Sequence, residues 1–115
     1  GGVCVVVASE ELIRQMIAVM VREVNPAAIV LFGSYATARP RADSDVDLLV
    51  VEDGAFGPAK DRRREMTRLW HALSRFPVAK DILVYSRDEV ERWRHARNHV
   101  IARALREGKL LHGSL

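Results

Sequence analysis

The sequence predicts an α/β or α+β domain, a β-sheet with helices packed on it, and three observations carry that expectation. Short apolar runs that read as buried strands alternate with stretches of helical period. Read along the chain, the order is helix, strand, helix start, strand, helix, strand, helix. With 115 residues there is chain enough for one compact domain and not for two, and 49% apolar residues suffice for a real core. A single domain over residues 1–115 is therefore expected.

The first helix is expected over residues 10–24, where Ile13, Met16, Ile17, Met20 and Val24 recur on one stripe. Ser9 is placed to cap it, Glu10 and Glu11 suit the positive end of its dipole, and Asn25-Pro26 ends it. Residues 27–32 form a continuous apolar run, a buried strand that stops at Gly33-Ser34, where a turn and a new helix start follow. Residues 37–44, with Pro40 among them, read as a polar loop that Ser44 braces. The next strand, residues 45–52, is apolar on both faces through Val46, Leu48, Leu49, Val50 and Val51, as in the middle of a covered sheet. Pro58 is expected to open a helix that shows Met66, Leu69, Trp70 and Leu73 on one face and Arg62-Arg63-Arg64 on another. A third strand is expected over 81–85. Ser86 and Glu89 then have the spacing of a capping box before a stripe of Val90, Trp93, Ala96, Val100, Ala104 and Leu105, broken near Asn98. Gly108 terminates that helix, and residues 109–112 add a short last strand.

Composition narrows the function. Basic residues number 18 against 15 acidic, a formal net charge of +3, and they are scattered, so solvated helix faces are the better reading and a nucleic-acid partner is not expected. Cys4 is the single cysteine, which forbids an internal disulfide, argues against a structural zinc site and suits a cytoplasmic protein. The apolar opening, residues 1–8, is too short to span a bilayer and lacks the basic lead-in of a signal peptide. Trp70 and Trp93 read as core or interface residues. His71 and His112 have no metal-ligand spacing, and His95 and His99, one helical turn apart, read as surface or polar packing.

Chemistry is concentrated in two places. Asp45 and Asp47 alternate along a strand, so both point to one face near its start. Two carboxylates this close repel, and the arrangement makes sense around a divalent cation; all-oxygen ligation suits Mg²⁺, which completes its shell with phosphates and water. Gly33-Ser34 follows a buried strand directly. Gly33 lets a phosphate approach the backbone, the next N–H groups face an anion, and the Ser34 hydroxyl adds a donor. Asp81 opens the next strand, and a helix between the two strands would return it beside Asp45 and Asp47 if the strands are neighbours. There it would complete a metal site or take a proton from an attacking hydroxyl.

Gly33-Ser34, the gap from Tyr35 through Ser44, and Asp45-Val46-Asp47 resemble the signature of the nucleotidyltransferase superfamily that includes DNA polymerase beta. The short length and the ending Gly108-Lys109-Leu110-Leu111 are similar to its minimal nucleotidyltransferases, the MNT proteins. The resemblance implies a polymerase beta palm-like fold with a mixed sheet flanked by helices. It also implies Gly33 and Ser34 as nucleotide-binding residues, and Asp45, Asp47 and Asp81 as catalytic carboxylates and metal ligands. It implies two Mg²⁺ ions and a nucleoside triphosphate, ATP, as donor of a nucleoside monophosphate to a hydroxyl. Many relatives carry a second Gly where this chain has Ala38, and Arg where it has Tyr35 and Thr37, which leaves fewer cations near the phosphates.

The resemblance to MNT proteins further implies a HEPN-domain toxin as partner, with this chain as the antitoxin that adenylylates it. Two alternatives stand beside that expectation. One is an antitoxin that works by binding alone; the other is nucleotidyl transfer to a small molecule or an RNA end.

Overall fold

The structure, a computed structural model, describes residues 8–37 and 45–115. Cys4 and most of the apolar opening lie outside the described residues, as do Arg39, Pro40, Arg41, Ser44 and the Ala38 position.

Helix α1, Glu10–Val24, has the bounds its caps dictate. The Ser9 hydroxyl accepts from the Leu12 N–H at 3.1 Å, and Asn25 leaves the helix in the left-handed region at φ 44°. Strand β1, Ala28–Phe32, is buried along its whole length and ends in a short 3-10 turn, Gly33–Tyr35. Strand β2, Val46–Glu52, helix α2, Arg62–Leu73, and strand β3, Lys80–Ser86, follow. Helices α3, Arg87–Trp93, and α4, Val100–Glu107, lead to the last strand β4, Lys109–Gly113.

The four strands form one mixed sheet in the order β3-β2-β1-β4. β1 is antiparallel to β2 and to β4, whereas β2 and β3 run parallel, joined by the α2 crossover. Alternation along β1 and β2 divides the core in two. Ile29, Leu48, Val50 and Ile82 face α1 and α2, where they meet Met16, Met20, Leu69 and Leu73. Val30, Phe32, Leu49 and Val51 face the opposite layer and meet Val90, Ile101 and Ala104. Met16 and Met20 are fully enclosed; at about 1.5–3 kcal/mol for each large apolar side chain, such residues hold α1 to the sheet.

Three sequence expectations change. Pro58 does not open α2. Gly57 and Lys60 exchange backbone hydrogen bonds of 2.9 and 3.1 Å in a tight turn, and the helix begins after Asp61, whose carboxylate accepts from the Arg63 N–H. Trp70 and Trp93 lie at the surface, 39% and 38% exposed, which removes the core half of the core-or-interface expectation. Arg62 does not share the solvated face of Arg63 and Arg64. It donates to the Val84 carbonyl at 2.8 Å, pairs with Glu89 and stacks over Phe56 and Tyr85. The capping box at Ser86 forms as expected. The break near Asn98 is where His99 caps α4, its Nδ1 accepting from the Ile101 N–H while its ring stacks on Trp93 at 4.6 Å.

The ends of the sheet differ in character. At the C-terminal end of β2, Glu52 is 3% exposed and meets Lys60 Nζ at 3.1 Å, with Glu65 alongside. Burial pushes the Glu52 carboxyl up, the Lys60 bond opposes this, and the nearness of Glu65 adds to the rise. One carboxylate oxygen of Glu52 and one of Glu65 are buried without a hydrogen-bond partner among the described residues. The other end of the sheet, where β2 and β3 begin, carries the sequence-predicted site.

Candidate active site

β1 delivers the chain to Gly33 at φ 73°, a left-handed conformation that glycine adopts freely. A second constraint acts at the same position. A side chain at Gly33 would run into the Asp47 carboxylate, whose Cγ lies 3.2 Å from where a Cβ would stand. Gly33 is thus both the turn and the gap into which Asp47 fits. The turn closes with the Ala36 N–H on the Gly33 carbonyl at 3.1 Å, and the Thr37 hydroxyl donates to the Ser34 carbonyl at 2.9 Å.

Asp47 sits directly opposite Phe32 of β1 on one side and opposite Asp81 of β3 on the other. The parallel crossover therefore brings together the starts of two strands far apart in sequence. Asp47 falls on the same side of β2 as Leu49 and Val51, the side covered by α3 and α4, and Asp45 precedes it by one strand repeat. Asp45 and Asp81 are exposed and Asp47 is half-buried. Partial burial raises the Asp47 carboxyl above its ordinary value, and repulsion from Asp81 and then Asp45 raises it further. The Arg103 guanidinium on α4 works in the opposite direction.

An Asp47 carboxyl raised by burial and by the nearness of Asp81 and Asp45 is one whose ionised form a hard cation beside it would favour. Among the described residues no group of three or more His, Cys, Asp or Glu side chains is placed to hold a metal ion. An open pair of carboxylates that leaves the remaining positions to phosphate oxygens and water is how Mg²⁺ is usually held.

Each sequence-predicted residue can now be located. Gly33, Ser34, Asp45, Asp47 and Asp81 lie at one end of the sheet, Gly33 packed on Asp47 and Asp47 paired with Asp81. Tyr35, directly after Ser34, turns the other way. Its ring is buried with the α1 layer and its hydroxyl accepts from the Ala8 N–H at 3.0 Å. This tyrosine is a core anchor, so its position contributes no side chain to the carboxylate face. Sequence reasoning missed Arg103; its only signal was its place on a helix whose other face, Ile101 and Ala104, is core. A cavity of about 400 Å³ lined by Ile13, Ile17, Leu31, Tyr35 and Leu111 lies on the opposite face of the sheet, between α1 and β4.

The model of the family described as "Polymerase beta, Nucleotidyltransferase" matches residues 14–114, nearly the whole chain. The chain belongs to the polymerase beta nucleotidyltransferase family. Two solved structures share the family's fold with this chain. One, a toxin-antitoxin crystal structure with AMP-PNP, is 24% identical at a TM-score of 0.54, covering 87% of this chain and 73% of that one. The other, a mutant of the toxin-antitoxin MntA-HpeT, is 22% identical with the same TM-score of 0.54 and covers 87% of this chain and 73% of that one. No curated protein matches the chain. The expected fold class, a mixed sheet flanked by helices, is the one observed.

Proposed function

We propose that this nucleotidyltransferase domain moves AMP from ATP to a hydroxyl on a partner protein, and that the partner is a HEPN-domain toxin which it neutralises as antitoxin. The observation that carries the chemistry is the register of Asp47 opposite Asp81, with Asp45 one repeat earlier and Gly33 packed on Asp47. The toxin partner is supported by the toxin-antitoxin structures among the neighbours. Among the described residues no helix is long and apolar enough to cross a membrane, and a cytoplasmic location belongs to the same proposal.

In this reading the backbone at Gly33 lets the triphosphate approach, and the Ser34 hydroxyl donates to a phosphate oxygen. Asp45 and Asp47 would hold Mg²⁺, with Asp81 as a third ligand or as the base. Bound there, Mg²⁺ would neutralise charge on the reacting phosphate and on the departing pyrophosphate. The acceptor oxygen forms a bond to the α-phosphorus, the bond from that phosphorus to the α,β-bridging oxygen breaks, and pyrophosphate leaves with its electron pair. Asp81, exposed at the start of β3, takes the proton of the attacking hydroxyl. Alignment of the two reactants supplies most of the rate.

A second reading, an antitoxin that acts by contact alone, is favoured by one observation: Tyr35, directly after Ser34, is committed to the core and offers the phosphates no side chain. One experiment separates the two. The protein is incubated with α-labelled ATP, Mg²⁺ and host lysate, beside the Asp45→Asn/Asp47→Asn double variant. A labelled protein band made only by wild type is expected. Equal labelling by the double variant, or no labelled protein with wild type, overturns protein adenylylation.

A further inference from the structure

The outward face of α2 carries charge that folding does not call for. Arg63, Arg64, Arg68, His71 and Arg75 are exposed along it, with Trp70 exposed among them. Arg63 and Arg64 stand in the first turn, at the positive end of the helix dipole, where acidic residues would serve the helix better. Their neighbour Arg62 is accounted for by Val84 and Glu89, and no such contact accounts for them. Among the described residues this face holds one ion pair, Arg68 with Glu65 at 3.9 Å, too long for a hydrogen bond. Residues 1–7 contain no acidic side chain, and residues 38–44 carry Arg39 and Arg41 against Asp43, so those segments bring net positive charge and not the missing negative charge.

The face ends beside the carboxylate site. Lys80 Nζ donates to the Phe76 and Val78 carbonyls at 3.1 Å each and stands 6.0 Å from the centre of the Trp70 ring. Lys80 is in register with Val46 at the start of β2, and the next residue is Asp81. Trp70 is thereby fixed at the end of the sheet where the carboxylates lie, on the other layer. Among the described residues β3 is the outer strand on this side, so no further strand separates that layer from Asp81.

We propose that the acceptor protein docks an acidic segment on the outward face of α2, with Trp70 at the centre of the contact, and reaches the carboxylates around the β3 edge. The inference rests on the reading of the site as one that transfers to a protein hydroxyl, and it adds where that protein is held. Tryptophan and arginine are the residue types that concentrate binding energy at protein interfaces, and opposite charge speeds encounter and excludes wrong partners. The 12 residues of α2, about 18 Å of helix, give room for a helix or loop to lie along it. Nucleic acid would answer the charge as well, but stacking along a single strand uses successive open rings. This face offers one ring, with Lys80 over it.

The test compares wild type with Arg64→Glu/Arg68→Glu, Arg64→Gln/Arg68→Gln and Trp70→Ala, each with α-labelled ATP, Mg²⁺ and host lysate. Melting curves and isothermal titration with Mg²⁺-ATP accompany it. Both are expected unchanged in the arginine variants, whose side chains are exposed and lie outside the nucleotide site; these variants carry the test should Trp70→Ala melt early. The initial rate of labelling of the protein band is expected to fall by about tenfold to a hundredfold on charge reversal and by less in the glutamine pair. Trp70→Ala should lower it by about tenfold. Added salt should slow wild type more than the charge-reversed variant. Labelling at the wild-type rate by the charge-reversed variant overturns the docking and leaves transfer to a protein standing. A fluorescein-labelled single-stranded RNA that wild type binds at physiological salt and the charge-reversed variant does not would assign the face to nucleic acid and overturn the docking too. Wild type that labels no protein overturns both the docking and transfer to a protein.

Discussion

Substituting Gly33 by Ala separates what the turn does for folding from what it does for the site. The backbone there holds φ at 73°, where an L side chain costs about 1–2 kcal/mol. For a domain of this size that loss lowers the melting temperature by roughly 4–10 °C. The added Cβ also meets the Asp47 carboxylate, the free end of a flexible side chain, which moves aside at little further cost to stability. Displacing a reacting group by about 1 Å is worth on the order of a hundredfold in rate, close to 3 kcal/mol of barrier, so transfer should fall by about that factor. Gly54→Ala is the matched control. Its φ is 57°, yet a Cβ there would meet nothing closer than Lys60 Nζ at 3.6 Å. Both variants should therefore lose similar stability in circular-dichroism melts, while only Gly33→Ala loses nucleotidyl transfer and Mg²⁺-ATP affinity. A Gly33→Ala protein that melts early but transfers at the wild-type rate would refute the packing of Gly33 on Asp47 as a functional contact.

Asp47→Asn should raise the melting temperature at neutral pH without metal. Its folded-state pKa lies above the unfolded one because of burial and then Asp81 and Asp45, so the fold is favoured at low pH and loses that advantage as pH rises through the folded value. Mg²⁺ should stabilise wild type and not this variant, a difference that scanning fluorimetry with and without the ion reads directly. At the other end of the sheet, the amide introduced by Glu65→Gln can donate to the unpartnered Glu52 oxygen and should stabilise by about 1 kcal/mol at neutral pH. Wild type should weaken as pH rises through the raised Glu52 value, and urea titrations across pH should show that slope reduced in the variant; an unchanged slope contradicts the pairing. Burial alone would raise Glu89, but its bonds with Arg62 and Ser86 outweigh burial and hold it low. Arg62→Ala should accordingly cost about 1–2 kcal/mol, its partly exposed pair being screened. That stability is present above the unfolded Glu89 value and lost as pH falls through the folded one, so the variant's acid limb should be flatter.

Much of this was legible in the sequence because it is local. Ser9 and Asn25 bound α1 within one chain segment, and the capping box of Ser86 with Glu89 needs no partner from elsewhere. The apolar runs of β1 and β2 announced strands covered on both faces. The meeting of Asp81 with Asp47 could be written only as a condition on strand order, which the parallel β2-β3 pairing meets. What stayed hidden depends on distant contacts. The turn that displaces Pro58 from the helix start carries Lys60 to the buried Glu52, and nothing near Pro58 signals that demand. Arg62 is drawn from its arginine run by Val84 and Glu89, and Arg103 gains its place only when α4 docks on β1.

The parallel pairing of β2 with β3 has a consequence for when the molecule can act. Gly33 and Asp47 meet as soon as β1 pairs with β2, an antiparallel contact between successive strands. Asp81 joins them only after α2 has crossed the sheet and β3 has docked, a slower and more distant closure. A chain still emerging or only partly collapsed thus holds two of the three carboxylates and cannot present the third. If transfer needs all three carboxylates, activity would report only molecules in which β3 has docked on β2.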